Sequence, residues 1–193
     1  VPIVVSLLLN ECRNVAAKRT IQTMIYFPYF ISWIILSGVL VDILSPTDGL
    51  VNDLVKAFGG EPIYFLGDNK YFQGTLVVSD VWRNFGYNSV VYLAAITGID
   101  MTLYEAASID GANRWQQTWH VTLPGMSTIV ILMVILNLGN LLNAGFDQVF
   151  NLYSPAVYET GDIIDTMVYR MGLEQAKFGP STAVGLLKSV VSF

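Results

Sequence analysis

"EAASIDGANRWQQTWHVTLP", residues 105–124, is the most polar long stretch between two strongly apolar ones. Thr102 and Glu105 spell T-x-x-E, the pattern of a helix N-terminal capping box, so a short helix is predicted over about 103–110. Gly111 suits the left-handed position after a helix end. Asn113 and Gln116 repeat the cap spacing and predict a second short helix. Trp115 and Trp119 lie four apart and share its face. Pro124 is predicted to open the next apolar segment, where its missing N–H costs nothing. The stretch reads as two helices joined by a glycine and held at a membrane surface. An interfacial hairpin that only anchors in headgroups fits this pattern as well.

The flanks say membrane. Of 193 residues, 53% are hydrophobic and 13% charged. Soluble domains carry about 25% charged residues. Mean hydropathy is +0.53. Five apolar segments are predicted: 1–9, 21–44, 76–99, 125–146 and 181–193. None alternates strictly, so a β-barrel is not predicted. A crossing helix needs about 20 apolar residues, and the two terminal runs fall short. The chain is therefore expected to be an internal piece of a longer membrane protein, with about five spans represented and the first and last incomplete. Residues 1–9 lack the basic region and cleavage site of a signal peptide.

Connections 10–20 and 100–124 fall on one side, and 45–75 and 147–180 on the other. Each side holds four Lys or Arg. The dense cluster of Arg13, Lys18 and Arg19 favours 10–20 as cytoplasmic. The net charge of −5 and the lack of a basic aromatic patch argue against nucleic acid. A lone Cys12 and a lone His120 make neither a disulfide nor a metal cluster, and there is no phosphate-binding P-loop.

Three segments carry polar stripes. On a helical wheel Gln22, Tyr26, Tyr29, Trp33 and Ser37 share one face. So do Asp80, Arg83, Asn84 and Tyr87, while Asn137, Asn140 and Asn143 form a fan. Polar groups facing lipid are expensive, so the stripes should face each other or water. Interhelical hydrogen bonding and an Asp80–Arg83 ion pair would explain them. A polar path with aromatic surfaces would also do so. Tyr and Trp beside Asn suit a sugar, offering flat apolar faces to ring C–H groups and amides to hydroxyls.

The 105–124 stretch resembles the EAA motif of the permease subunits of binding-protein-dependent ABC importers. Glu105, Ala106, Ala107, Gly111, Leu123 and Pro124 match it. Asp110, Gly111 and Ala112, with Trp115 and Trp119, match its sugar-importer form. "LLLNECRNVAAKRTIQTMIYFPYFISW", "GLVN", "FGYNSVVYLAAITGID", "LNLGNLLNAGFDQVFNLYSP" and "FGPSTAVGLLKSVVSF" resemble the LplB-like polysaccharide and oligosaccharide branch, which includes alginate permeases.

The resemblance implies an all-α integral membrane protein of the type I importer fold, with 1–193 a single transmembrane permease domain and 100–124 its cytoplasmic coupling loop. It implies a multi-pass subunit of the bacterial cytoplasmic membrane that performs no covalent chemistry. Implied partners are a second, usually different permease, two ATPase subunits that hold ATP and Mg, a sugar-binding protein on the outer side, and lipid. Substrate contacts carried over by motif fall at Tyr29, Trp33, Trp82, Arg83, Asn84, Asn137 and Asn140, and Tyr87 joins them from the stripe. Trp82 lies off the stripe on a straight helix. Arg83 suits a uronate carboxylate, or equally an ion pair with Asp80. A permease for another solute, such as phosphate or polyamine, and an ATP-independent transporter are the competing readings. The second expects ionisable midplane sites and broken helices.

Overall fold

A computed structural model describes residues 1–140 and 142–192. Leu141 and Phe193, inside the predicted segments 125–146 and 181–193, lie outside the described residues. Every regular element among the described residues is a helix. The chain divides into two compact units, residues 1–30 with 81–138, and residues 31–80 with 139–193.

The first unit begins with α1 (Pro2–Glu11), which has proline in its first turn where no N–H is needed, and α2 (Val15–Phe30). The predicted 21–44 segment is broken. Pro28, buried inside α2, cannot donate to the preceding turn, and the helix stops at Phe30. α3 (Trp33–Ile43) starts afresh, capped by the Ser32 hydroxyl, which accepts from the Ile35 N–H at 3.4 Å. A single wheel through Gln22 to Ser37 therefore fails: Trp33 and Ser37 belong to a different helix from Tyr29.

The predicted 76–99 segment is part of a longer helix, α5 (Asn69–Thr97), which contributes to both units. Its 29 residues span about 43 Å, but its polar stripe makes it too hydrophilic to count as a crossing helix alone. Gly86 lets α5 approach α2 at Ile25, since a Cβ there would fall on the Ile25 carbonyl. No single described helix is long and apolar enough to cross a membrane. Three bent pairs are, each taken together: α2 with α3, α5 with α6 (Met101–Ile109, bent by 68°), and α7 (Arg114–Gly125) with α8 (Ser127–Leu138, bent by 56°).

The predicted 125–146 segment is helical only to Leu138, with Gly139 just beyond. Asn137 lies on α8, and Asn140 sits in the turn after it. The predicted helical fan of three asparagines does not form. Asn137 donates to its own helix at the Met133 carbonyl, 2.6 Å, and Asn143 donates to Asn140 Oδ1 at 3.3 Å.

The second unit holds α3, α4 (Leu50–Ala57), the start of α5, α9 (Phe146–Leu152), α10 (Ile164–Tyr169) and α11 (Phe178–Ser192). Phe72, Leu152 and Val157 form its buried core, with Leu40, Leu66, Leu76 and Tyr153 around them. Gly161 makes room for the Phe72 ring. Polar ties close the unit: buried Gln148 donates to the Leu76 carbonyl at 2.8 Å and Ser79 Oγ at 2.9 Å, and Gln73 donates to the Thr160 carbonyl at 2.9 Å. Two ion pairs the sequence pattern does not announce are Asp165 with Lys188, at 2.6 Å, and Asp162 with Arg170.

Candidate functional site

The 100–125 stretch folds as a helix hairpin. α6 starts at Met101, two residues before the predicted point. Its N-cap is Asp100, whose carboxylate accepts from the Thr102 N–H at 2.9 Å. Thr102 is thus inside the helix, and the T-x-x-E pattern does not act as its cap. Asp100 offers a charged acceptor two residues earlier, and an anion also suits the helix N-terminus. The bond from the Thr102 backbone holds the Asp100 carboxyl below its ordinary value.

Gly111 takes φ +81° and turns the chain, as predicted, and the Ala112 N–H closes the end of α6 on the Ala107 carbonyl at 2.9 Å. Asn113 and Gln116 form the predicted capping box, with reciprocal bonds of 2.9 and 2.8 Å. The two arms are then locked from inside. Buried Gln117 donates to Ser108 Oγ and to the Ala112 carbonyl, each at 3.0 Å, and the Tyr104 and Thr122 hydroxyls meet at 2.9 Å. Gln117, Ser108, Tyr104 and Thr122 were not singled out in the sequence. A polar residue on the inner face of each arm is their only signal.

Pro124 does not begin the next segment. It lies near the end of α7, and the turn before it, Thr118–Thr122, has π-helical spacing. Leu123 donates to the Thr118 carbonyl, five residues back. The wider turn accommodates a ring that would crowd the carbonyl four residues earlier in an α-helix. Gly125 then packs against Ile99, and the chain bends into α8.

The hairpin presents a surface. Trp115 and Trp119 meet edge to face at 6.1 Å and are 69% and 54% exposed. Glu105, Ala106, Asp110 and Gly111 are exposed, Ala107, Ala112 and Leu123 half-buried, and Pro124 exposed. An open cavity of about 670 Å³ lies beside it, lined by Asn10, Glu11, Tyr104, Glu105, Arg114 and Gln117 among others.

Of the predicted path residues, Tyr29, Arg83 and Tyr87 come together in the first unit. Tyr29 and Tyr87 stack at 3.9 Å with planes 4° apart. Arg83 lies over the Tyr29 ring at 5.5 Å and donates to the Tyr29 carbonyl at 3.2 Å. Phe30 meets both rings edge on. Asn84 is half-buried on α5, and Trp82 is 44% exposed. Trp33 and Asn140 belong to the other unit, and Asn137 is exposed. No group of three or more His, Cys, Asp or Glu among the described residues could hold a metal ion.

Broken apolar helices with a capped polar hairpin between them are the build of an all-α integral membrane protein. The chain belongs to the family of binding-protein-dependent transport system inner membrane components, which it matches over residues 3–193. It is 43% identical to the polygalacturonan/rhamnogalacturonan transport system permease protein YteP of Bacillus subtilis (strain 168), over 99% of this chain and 60% of that protein. It is 41% identical to protein LplB of the same organism, over 98% of this chain and 60% of LplB. Among solved structures, a chain from the crystal structure of a bacterial ABC transporter involved in the import of the acidic polysaccharide alginate superposes with a TM-score of 0.95 at 39% identity. That match covers 99% of this chain and 67% of that one. The chain thus spans about 60% of the length of these two curated relatives.

Proposed function

We propose that this chain is the membrane-spanning part of an ABC importer permease that passes a sugar, oligosaccharide or polysaccharide from a binding protein across the cytoplasmic membrane. The observation that carries the reading is the capped hairpin at 101–125, a rigid polar lever set between apolar helices. Asp100, Asn113 and Gln116 fix its ends, Gln117 and Tyr104 tie its arms, and Trp115 and Trp119 stand exposed on it. A stiff hairpin with an exposed aromatic pair suits a joint to a moving partner, because force passes through bonded arms without being lost in bending.

In this reading the hairpin, with Glu105, Ala106, Ala107, Asp110, Gly111, Ala112, Leu123 and Pro124, seats on an ATPase subunit. ATP and Mg act there and not in this chain, which holds no catalytic site. A second permease and an outer sugar-binding protein complete the assembly. In the first unit the stacked Tyr29–Tyr87 pair and Arg83 contribute to the substrate path, with Trp82, Asn84 and Asn137 as further contacts, and in the second unit Trp33 and Asn140 are candidate contacts in their own right. Similarity to a permease named for polygalacturonan and to an alginate importer supports a saccharide cargo.

The test is the full transporter in liposomes with Gly111→Val or Glu105→Ala. ATPase subunits should co-purify poorly, or ATP hydrolysis should cease to respond to the loaded binding protein. Unchanged assembly and transport in both variants would overturn the reading, as would uptake that continues without nucleotide.

A further inference from the structure

We propose that α4 lies in the lipid headgroup layer, as an interfacial anchor at the point where α3 leaves the membrane. The helix has three faces. One is held by protein: Asn52, fully buried, donates to the carbonyls of Ser45 at 2.9 Å and Ile63 at 3.0 Å and accepts from the Ile63 N–H at 2.7 Å. Val55 shares that face and is half-buried. A second face is charged, with Asp53 and Lys56 paired at 3.4 Å. The third is apolar and bare: Leu50, Leu54 and the C-cap residue Phe58 are 67%, 62% and 89% exposed. With Ala57 they cover an arc of about 100° at 3.6 residues per turn.

Two observations select lipid as the occupant. The first is continuity. Asn52 binds the carbonyl of Ser45, two residues past the end of α3, so α4 is pinned to the end of that helix. α3 itself exposes Ile34, Ile35, Val39 and Val41, and the chain belongs to an inner-membrane family. The second is the arrangement of charge. Asp53 and Lys56 lie beside the apolar arc and outside it, the pattern of a helix half sunk in a headgroup layer. Tyr64, next to the Asn52-bound Ile63, is 57% exposed and suits the same boundary. A soluble partner that docks and departs would leave the Leu50–Leu54–Phe58 stripe in water for part of every cycle.

The test uses the full transporter in lipid vesicles, with native cysteines replaced. Nitroxide labels are placed singly by Leu54→Cys, Phe58→Cys and Asp53→Cys. Collision with oxygen, which concentrates in lipid, is compared with collision with a water-soluble nickel chelate. Labels at 54 and 58 should favour oxygen, and the label at 53 should favour the chelate. If labels at 54 and 58 meet the chelate as freely as the label at 53, the stripe faces water and the proposal fails. If they meet neither reagent, protein covers the stripe and the proposal fails equally.

Discussion

Gly86 of α5 sits directly on the carbonyl of Ile25 in α2, with no space for a side chain between them. One residue on, Tyr87 stacks on Tyr29. The glycine thus sets the helix separation that lets the two rings meet at 3.9 Å.

Gly86→Ala should therefore destabilise by about 1–3 kcal/mol, because the obstacle is backbone and cannot rotate away. Gly74, on the same helix, has open space at its Cβ position. Gly74→Ala should be neutral, or stabilising by about 0.4–1 kcal/mol through the unfolded chain. Thermal unfolding of the detergent-purified variants checks the contrast. Equal losses at both positions would show that the close approach does not matter.

Buried Asn52 organises the connection between α3 and α5. Asn52→Ala would strand the Ser45 and Ile63 carbonyls and the Ile63 N–H. Each backbone group left buried and unpaired costs about 1–3 kcal/mol. The expected result is a lower unfolding temperature and new protease cleavage within 45–68. Asn52→Asp should do nearly as much harm, since a carboxylate keeps the bond from Ile63 but cannot donate to either carbonyl.

Asp162 and Arg170 should make the second unit acid-sensitive. Burial pushes the Asp162 carboxyl up, but bonds from the Arg170 guanidinium and the Thr166 hydroxyl outweigh it, so the group sits below its ordinary 3.8. Arg170 is correspondingly raised, chiefly by its bond to Asp162. A carboxylate depressed in the folded state stabilises above its unfolded value, and that stability is lost as pH falls through the folded value. Wild type should thus unfold more readily below about pH 4, while Asp162→Asn should be weaker by about 1.5–3 kcal/mol at neutral pH. The two curves should converge in acid. A constant gap between them at every pH would assign the pair no role in acid sensitivity.

Helix breaks and caps were unevenly legible in the sequence. The hairpin was readable because its signals are local: Gly111 needs a left-handed turn, and the Asn113–Gln116 bonds span three residues. Its true start was missed because Asp100 outcompetes Thr102 for the cap. Apolar composition revealed the membrane class, yet it hid the break at Ile31 and Ser32, where Pro28 and a capping Ser32 outweigh an unbroken hydrophobic run. Periodicity placed Tyr29 and Tyr87 on polar faces. Their stacking depends on Gly86, a contact between residues 61 positions apart in sequence. The pairs Asp162–Arg170 and Asp165–Lys188 required the fold to bring separate helical turns together.

On the proposed substrate path, Arg83 offers the sharpest probe of the cargo's charge. Its guanidinium lies against the Tyr29 ring and carbonyl, beside the stacked Tyr29–Tyr87 pair. A uronate passing this point would gain a charge-assisted bond that a neutral sugar lacks, worth about 1.5–3 kcal/mol. Arg83→Ala should then weaken half-maximal stimulation of ATP hydrolysis by uronate oligosaccharides by roughly tenfold to a hundredfold. Stimulation by neutral oligosaccharides should hardly move. Arg83→Lys should recover part of the loss, since a point charge replaces a planar fork. A fall of equal size for uronates and neutral sugars would make Arg83 a brace for Tyr29 and leave the aromatic pair as the saccharide contact.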